Sequence, residues 1–152
     1  MVKFNPLGFL FLCIIMIPNI IFAIKNKDAF ENSIQKKWFK ILEVFEQVGR
    51  YGCFFCMMFN ISGTCFGFSS NFSFRICLVI NGILILNYCL IWITHFRKNN
   101  LFRGIFLSVI PSIIFLFNGV MSKSILLIIF AIIFAPCHIT ISIMNTKKKS
   151  CL

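Results

Sequence analysis

Residues 124–146 read SILLIIFAIIFAPCHITISIMNT, closed by Lys123 on one side and by Lys147, Lys148 and Lys149 on the other. No side chain in the run carries a formal charge. About 20 residues of helix, rising 1.5 Å each, cross a hydrocarbon core of roughly 30 Å. The stretch is therefore a candidate membrane span, and the chain around it repeats the pattern. Four further charge-free runs cover Phe4–Ile24, Tyr51–Phe74, Ile76–Phe96 and Gly104–Ser122. Their apolar residues do not alternate with polar ones, which argues against a transmembrane barrel. Backbone polar groups cannot be left unpaired in lipid, so each run is expected to be a helix.

Composition supports the same solvent. Of 152 residues, 59% are hydrophobic and 12% charged, with a mean hydropathy of +0.93. A soluble domain carries about 25% charged residues, so these charges are too few to coat a water-facing surface. The 15 Lys and Arg outweigh 4 Asp and Glu for a net charge of +11. The basic residues flank apolar runs, as helix ends at a membrane surface do, and do not form one basic face; nucleic-acid binding is not expected. Eight cysteines could signal a disulfide scaffold, but all except Cys151 lie inside or beside the apolar runs. There they read as small, reduced hydrophobes. Cys53 and Cys56 form a C-x-x-C within an apolar run, not at a strand-to-helix turn, so a redox or metal role is a minor alternative. A single Lys3 and the Pro18-Asn19 interruption do not make a cleavable signal peptide.

These patterns predict an all-α, polytopic bundle forming a single membrane domain with five spans. The spans fall at about 7–24, 48–68, 74–96, 101–117 and 123–144. Between the first two, Lys25–Arg50 holds ten of the formal charges. Asp28 and Glu31 resemble a capping box. Phe30, Ile34, Trp38, Ile41, Phe45 and Val48 then recur at intervals of three and four. That is the stripe of an amphipathic interfacial helix over about 28–47, anchored by Trp38. Asn118-Gly119 reads as a turn closing the fourth span.

Orientation follows from the basic residues. Lys25, Lys27, Lys36, Lys37, Lys40, Arg50, Arg97, Lys98, Arg103, Lys147, Lys148 and Lys149 fall on one side of a five-span topology. Lys3, Arg75 and Lys123 fall on the other. The richer side faces the cytoplasm, which puts the N-terminus outside the cell membrane and the C-terminus inside.

Polar residues inside apolar runs are the functional leads. Gly49, Cys53, Cys56, Asn60 and Gly63 follow Glu46 at three-to-four spacing, a small-residue packing face on the second span, and Ala131 and Ala135 extend a similar face on the fifth. Under the predicted sidedness Asn19, Glu46, Arg50, Asn87 and His138 share the cytoplasmic half and form a candidate polar pocket. Glu46 and Arg50, four apart, can pair on one helix, and His138 can change charge near neutral pH. Metalloprotease, phosphate-loop and paired-aspartate signatures are absent from the sequence, and no metal or cofactor is expected. The leading expectation is an accessory, immunity-type or scaffolding bundle, with lipid and other membrane subunits or its own copies as partners. A transporter or channel component using the polar pocket is the alternative, and a membrane-embedded enzyme acting on a lipid-like substrate is the third reading.

Overall fold

The structure is a computed structural model that describes residues 2–25, 37–94 and 101–150, with side chains at all of these except 19, 22–25, 101–103 and 147–150. Its described residues form five helices: α1 (Pro6–Lys25), α2 (Lys37–Met58), α3 (Asn71–Thr94), α4 (Leu101–Met121) and α5 (Ile125–Ser150). Two short strands, β1 (Val2–Phe4) and β2 (Phe59–Ile61), pair antiparallel with Val2 opposite Ile61 and Phe4 opposite Phe59. Consecutive helices alternate in direction. α5 packs against both α2 and α4, α3 lies on the far side of α4, and α1 touches α2 and α3. The five helices thus close into a ring.

Local chemistry sets the helix ends. Asn5 caps α1 by accepting a hydrogen bond from the Gly8 amide at 3.2 Å, and Pro6 occupies the first helical position, where no amide donor is needed. Ser70 caps α3 in the same way through the Ser73 amide at 3.1 Å. α4 closes in a Schellman arrangement. Ser124 N donates to Gly119 O at 2.9 Å and Lys123 N to Val120 O at 3.2 Å, with Lys123 left-handed at φ 51°.

Two buried apolar clusters fill the ring. Leu12, Cys53, Cys56, Met57, Phe115, Leu127, Ala131 and Phe134 join α1, α2, α4 and α5. Ile15, Ile85, Tyr88, Ile110 and Ile114 join α1, α3 and α4. Many of the large apolar side chains point outward, as lipid-solvated helices require. On α3 these include Val79, Ile83, Leu86, Leu90 and Ile93.

Among the described residues, three helices are long and apolar enough to cross a membrane: Asn71–Thr94, Gly104–Met121 and Ile125–Thr146. The expected count of five is not supported. In α1 the apolar helical stretch is Pro6–Pro18, which is short for a span. α2 carries Lys37, Lys40, Glu43, Glu46 and Arg50 in its first two-thirds.

The second expected span is also corrected. Helix α2 is continuous from Lys37, so the interfacial segment and the start of the span are one helix; residues 28–36, with the Asp28 cap, lie outside those described. α2 stops at Met58, ten residues before the expected Phe68, because Phe59–Ile61 leaves the helix to pair with β1. Gly63 and Gly67 then take φ of 96° and 76°, which the missing Cβ permits. The folded-back segment is tied to the α4–α5 turn by Ile125 N donating to Thr64 O at 2.9 Å and by a bridge between Cys65 and Ser124. The Asn118-Gly119 turn is likewise corrected, since α4 continues through both to Met121.

Candidate polar site between helices 2 and 5

The α2–α5 seam runs as an antiparallel ladder. A Cβ added at Gly52 would collide with the Phe130 ring, and one added at Gly49 would stand 2.9 Å from Phe134 Cα, Cβ and N. One turn further towards the start of α2, Glu46 meets His138. Each step back of three along α2 is a step forward of four along α5. The two glycines let the backbones approach closely, as small residues do between helices in lipid.

This approach builds a charged cluster. Glu46 is 5% exposed, and its Oε1 lies 2.9 Å from His138 Nδ1. The same oxygen accepts a hydrogen bond from Arg50 Nη2, one turn along α2. An ionised carboxylate can only accept, so His138 Nδ1 carries a proton and donates. The ring is also held by stacking on Phe134, with centroids 4.7 Å apart and planes 20° from parallel. A buried carboxylate shared by a guanidinium and an imidazole can store a proton and orient it.

The structure therefore brings together Glu46, Arg50 and His138. Asn87 lies elsewhere, exposed on α3 and donating to its own helix at Ile83 O over 3.0 Å. Asn19 falls in α1, its side chain outside those described. Of the expected packing face, Gly49, Cys53 and Cys56 are buried on α2, and Ala131 is buried opposite them on α5. Ala135 is half-buried. Asn60 and Gly63 do not continue that face, because Asn60 sits in β2 and Gly63 in the following turn.

A second polar pair was not anticipated. Asn81 on α3, fully buried, and Asn118 on α4 exchange hydrogen bonds: Asn81 Nδ2 donates to Asn118 Oδ1 at 3.1 Å, and Asn118 Nδ2 to Asn81 Oδ1 at 2.9 Å. Cys77 joins them through its thiol, 3.4 Å from Asn118 Oδ1. A lone Asn deep in an apolar run was the available signal, and Asn118 was masked by its neighbouring glycine. Beside this pair is a cavity of about 60 Å³ lined in part by Asn5, Phe11, Met57, Cys77 and Asn118. That is space for a couple of waters.

The seven described cysteines are free. Among the described residues no group of three or more His, Cys, Asp or Glu is placed to hold a metal ion. No protein-family model matches the chain, and no curated protein or solved structure matches it, so its own side chains must supply the evidence for what it does.

Proposed function

We propose that the chain is a multi-pass protein of the cell membrane that serves as an accessory or scaffolding helix bundle. One observation carries this reading. Among the described residues, no buried side-chain nitrogen or oxygen lacks a hydrogen-bond partner. The Glu46 cluster and the Asn81–Asn118 pair are satisfied by neighbouring helices of the chain itself, which favours cohesion over a site awaiting a substrate.

Depth supports insertion of α2 despite its charges. His138 precedes Lys147 by nine residues, about 13 Å of helix. Glu46 follows Trp38 by eight, about 12 Å. Both rulers put the cluster well below the surface marked by Trp38 and the terminal lysines. The outward side of α2 carries an apolar stripe to match, running through Trp38 (82% exposed), Ile41, Phe45, Val48 and Phe55, with Lys37, Lys40 and Gln47 exposed beside it. The strand end of the bundle carries Lys3, Arg75 and Lys123, and the start of α2, at the opposite end, carries Lys37 and Lys40, while in sequence the basic residues assigned to that side outnumber those of the strand end twelve to three. The cytoplasm accordingly lies at the opposite end, with the N-terminus outside.

A photo-crosslinking residue at Val48 tests the role in cells. The scaffold reading expects a discrete protein adduct, with another subunit or a second copy. Labelling of lipid alone removes it. In proteoliposomes the same reading expects no ion flux; flux that disappears in Glu46→Gln would install the transporter alternative instead.

A further inference from the structure

The Glu46 cluster has one anion and two candidate cations. With a neutral imidazole, Glu46 and Arg50 cancel, and His138 Nδ1–H completes the carboxylate's hydrogen bonds. The Nδ1 proton is committed to Glu46, so the lone pair at Nε2 is the position where a proton can be added. The cluster is open on one flank, where the His138 side chain is 23% exposed and that of Arg50 30%. Other ionisable groups nearby are few. Glu43 lies one turn back on α2, Cys53 two turns on, and Cys137 beside His138 on α5. The described part of α4, Gly104–Met121, has no ionisable side chain.

We infer that Glu46 and His138 form a proton-binding clasp in which protonation of His138 exchanges the cation held by Glu46. A proton adds to Nε2 and turns the ring into an imidazolium. Its Nδ1–H···Oε1 contact becomes a charge-assisted bond, of the stronger class. Three charges now share a buried site that balances only two. Arg50, on a long and partly exposed side chain, gives up its Nη2–H···Oε1 bond and turns its guanidinium towards water and headgroups. The one covalent change is the new Nε2–H bond, made with a proton taken from the water that reaches the open flank, and the cluster is again neutral once Arg50 has left. Proton binding between α2 and α5 thus appears at the bundle surface as a displaced positive charge. The inference goes beyond the scaffold role and stands or falls independently of it.

The test is nitrogen NMR of the full chain in micelles, labelled at His and Arg, in a His95→Gln background that leaves one histidine. At high pH the ring is expected as the Nδ1–H tautomer. As pH falls, the second ring nitrogen gains a proton, and the Arg50 side-chain signal loses its protection from solvent exchange in the same pH interval. In His138→Gln, whose amide can still donate to Glu46 but takes up no proton, Arg50 stays protected throughout. An Nε2–H tautomer at high pH overturns the inference. So does an Arg50 signal unmoved by the ring transition, or one that still loses protection in His138→Gln. If His138→Gln fails to fold, Glu46→Gln decides: there the ring transition persists without any accompanying change at Arg50, and a change that remains linked refutes the exchange.

Discussion

Replacing Gly49 by alanine isolates the close approach that the α2–α5 seam depends on. In a helix interior, alanine is favoured over glycine by about 1 kcal/mol, so the change should stabilise α2 if nothing opposed it. At Gly49 the new Cβ stands 2.9 Å from three atoms of Phe134, two of them backbone. Backbone cannot swing aside as a side-chain tip can, so the helices must separate, and overpacking of this kind costs about 1–3 kcal/mol. The separation also stretches the Glu46–His138 contact one turn away. The net expectation is a loss of up to about 2 kcal/mol. Gly82 on α3 is the internal control, since a Cβ there meets nothing within 4 Å. Gly82→Ala should gain up to about 1 kcal/mol. Reversible unfolding in mixed micelles, titrated with denaturing detergent, measures both on one scale. Equal shifts of the same sign in the two variants would refute the reasoning, because helix propensity alone would then account for both.

Three further changes address other joints. His138→Ala leaves the buried Glu46 carboxylate with Arg50 alone and unstacks Phe134, and should lower unfolding stability by about 1–3 kcal/mol in the same assay. Asn118→Leu strips Asn81 of its reciprocal amide. Hydrogen bonds between helices in lipid average about 0.6 kcal/mol and reach about 1.7, so a loss in that range is expected. The double variant Asn81→Leu/Asn118→Leu should recover part of it; strictly additive losses would argue that the pair contributes nothing as a pair. Lys123→Gly relieves the left-handed residue of the α4–α5 turn and should raise stability by about 1 kcal/mol, and a thermal midpoint that falls would mean the lysine side chain does more than occupy the turn.

The helices of the C-terminal half were legible because their signal is collective. A run such as Ser124–Thr146 has so many apolar positions that no single residue decides it, and α3, α4 and α5 stand close to where the runs put them. The run Tyr51–Phe74 misled for the same reason. Absence of charge says what solvent a segment can tolerate but not whether its backbone stays helical. Here the competing structure is non-local: β2 is a strand only because Val2–Phe4 lies beside it. Gly63 and Gly67 were local evidence of a break, and the packing-face pattern absorbed one of them. Glu46, Arg50 and His138 could be gathered from sequence because depth along antiparallel helices is a matter of counting residues. Asn87 shared their depth and not their company, since counting fixes height along a helix and leaves the facing direction to packing. Asn81 and Asn118 needed that direction to be recognised.

The charges of α2 and its glycines form a single arrangement. A carboxylate within an apolar bundle is tolerable when its partners reach it without leaving polar atoms unpaired, and removing one partner of such a pair costs far more than the pair contributes. An imidazole is short, so His138 can reach Glu46 only where the two backbones lie close, and that closeness is set at Gly49 and Gly52 against Phe134 and Phe130. Moving α5 by one turn along the seam would leave Glu46 without His138 and set Phe130 or Phe134 against a residue with a side chain. The glycines permit the approach, the cluster penalises every other register, and the buried faces of Cys53, Cys56, Leu127 and Ala131 fill the space that remains. A helix whose composition argues against a membrane can therefore sit at the core of a bundle otherwise suited to one, with Glu46 turned inward and an apolar stripe from Trp38 to Phe55 turned out.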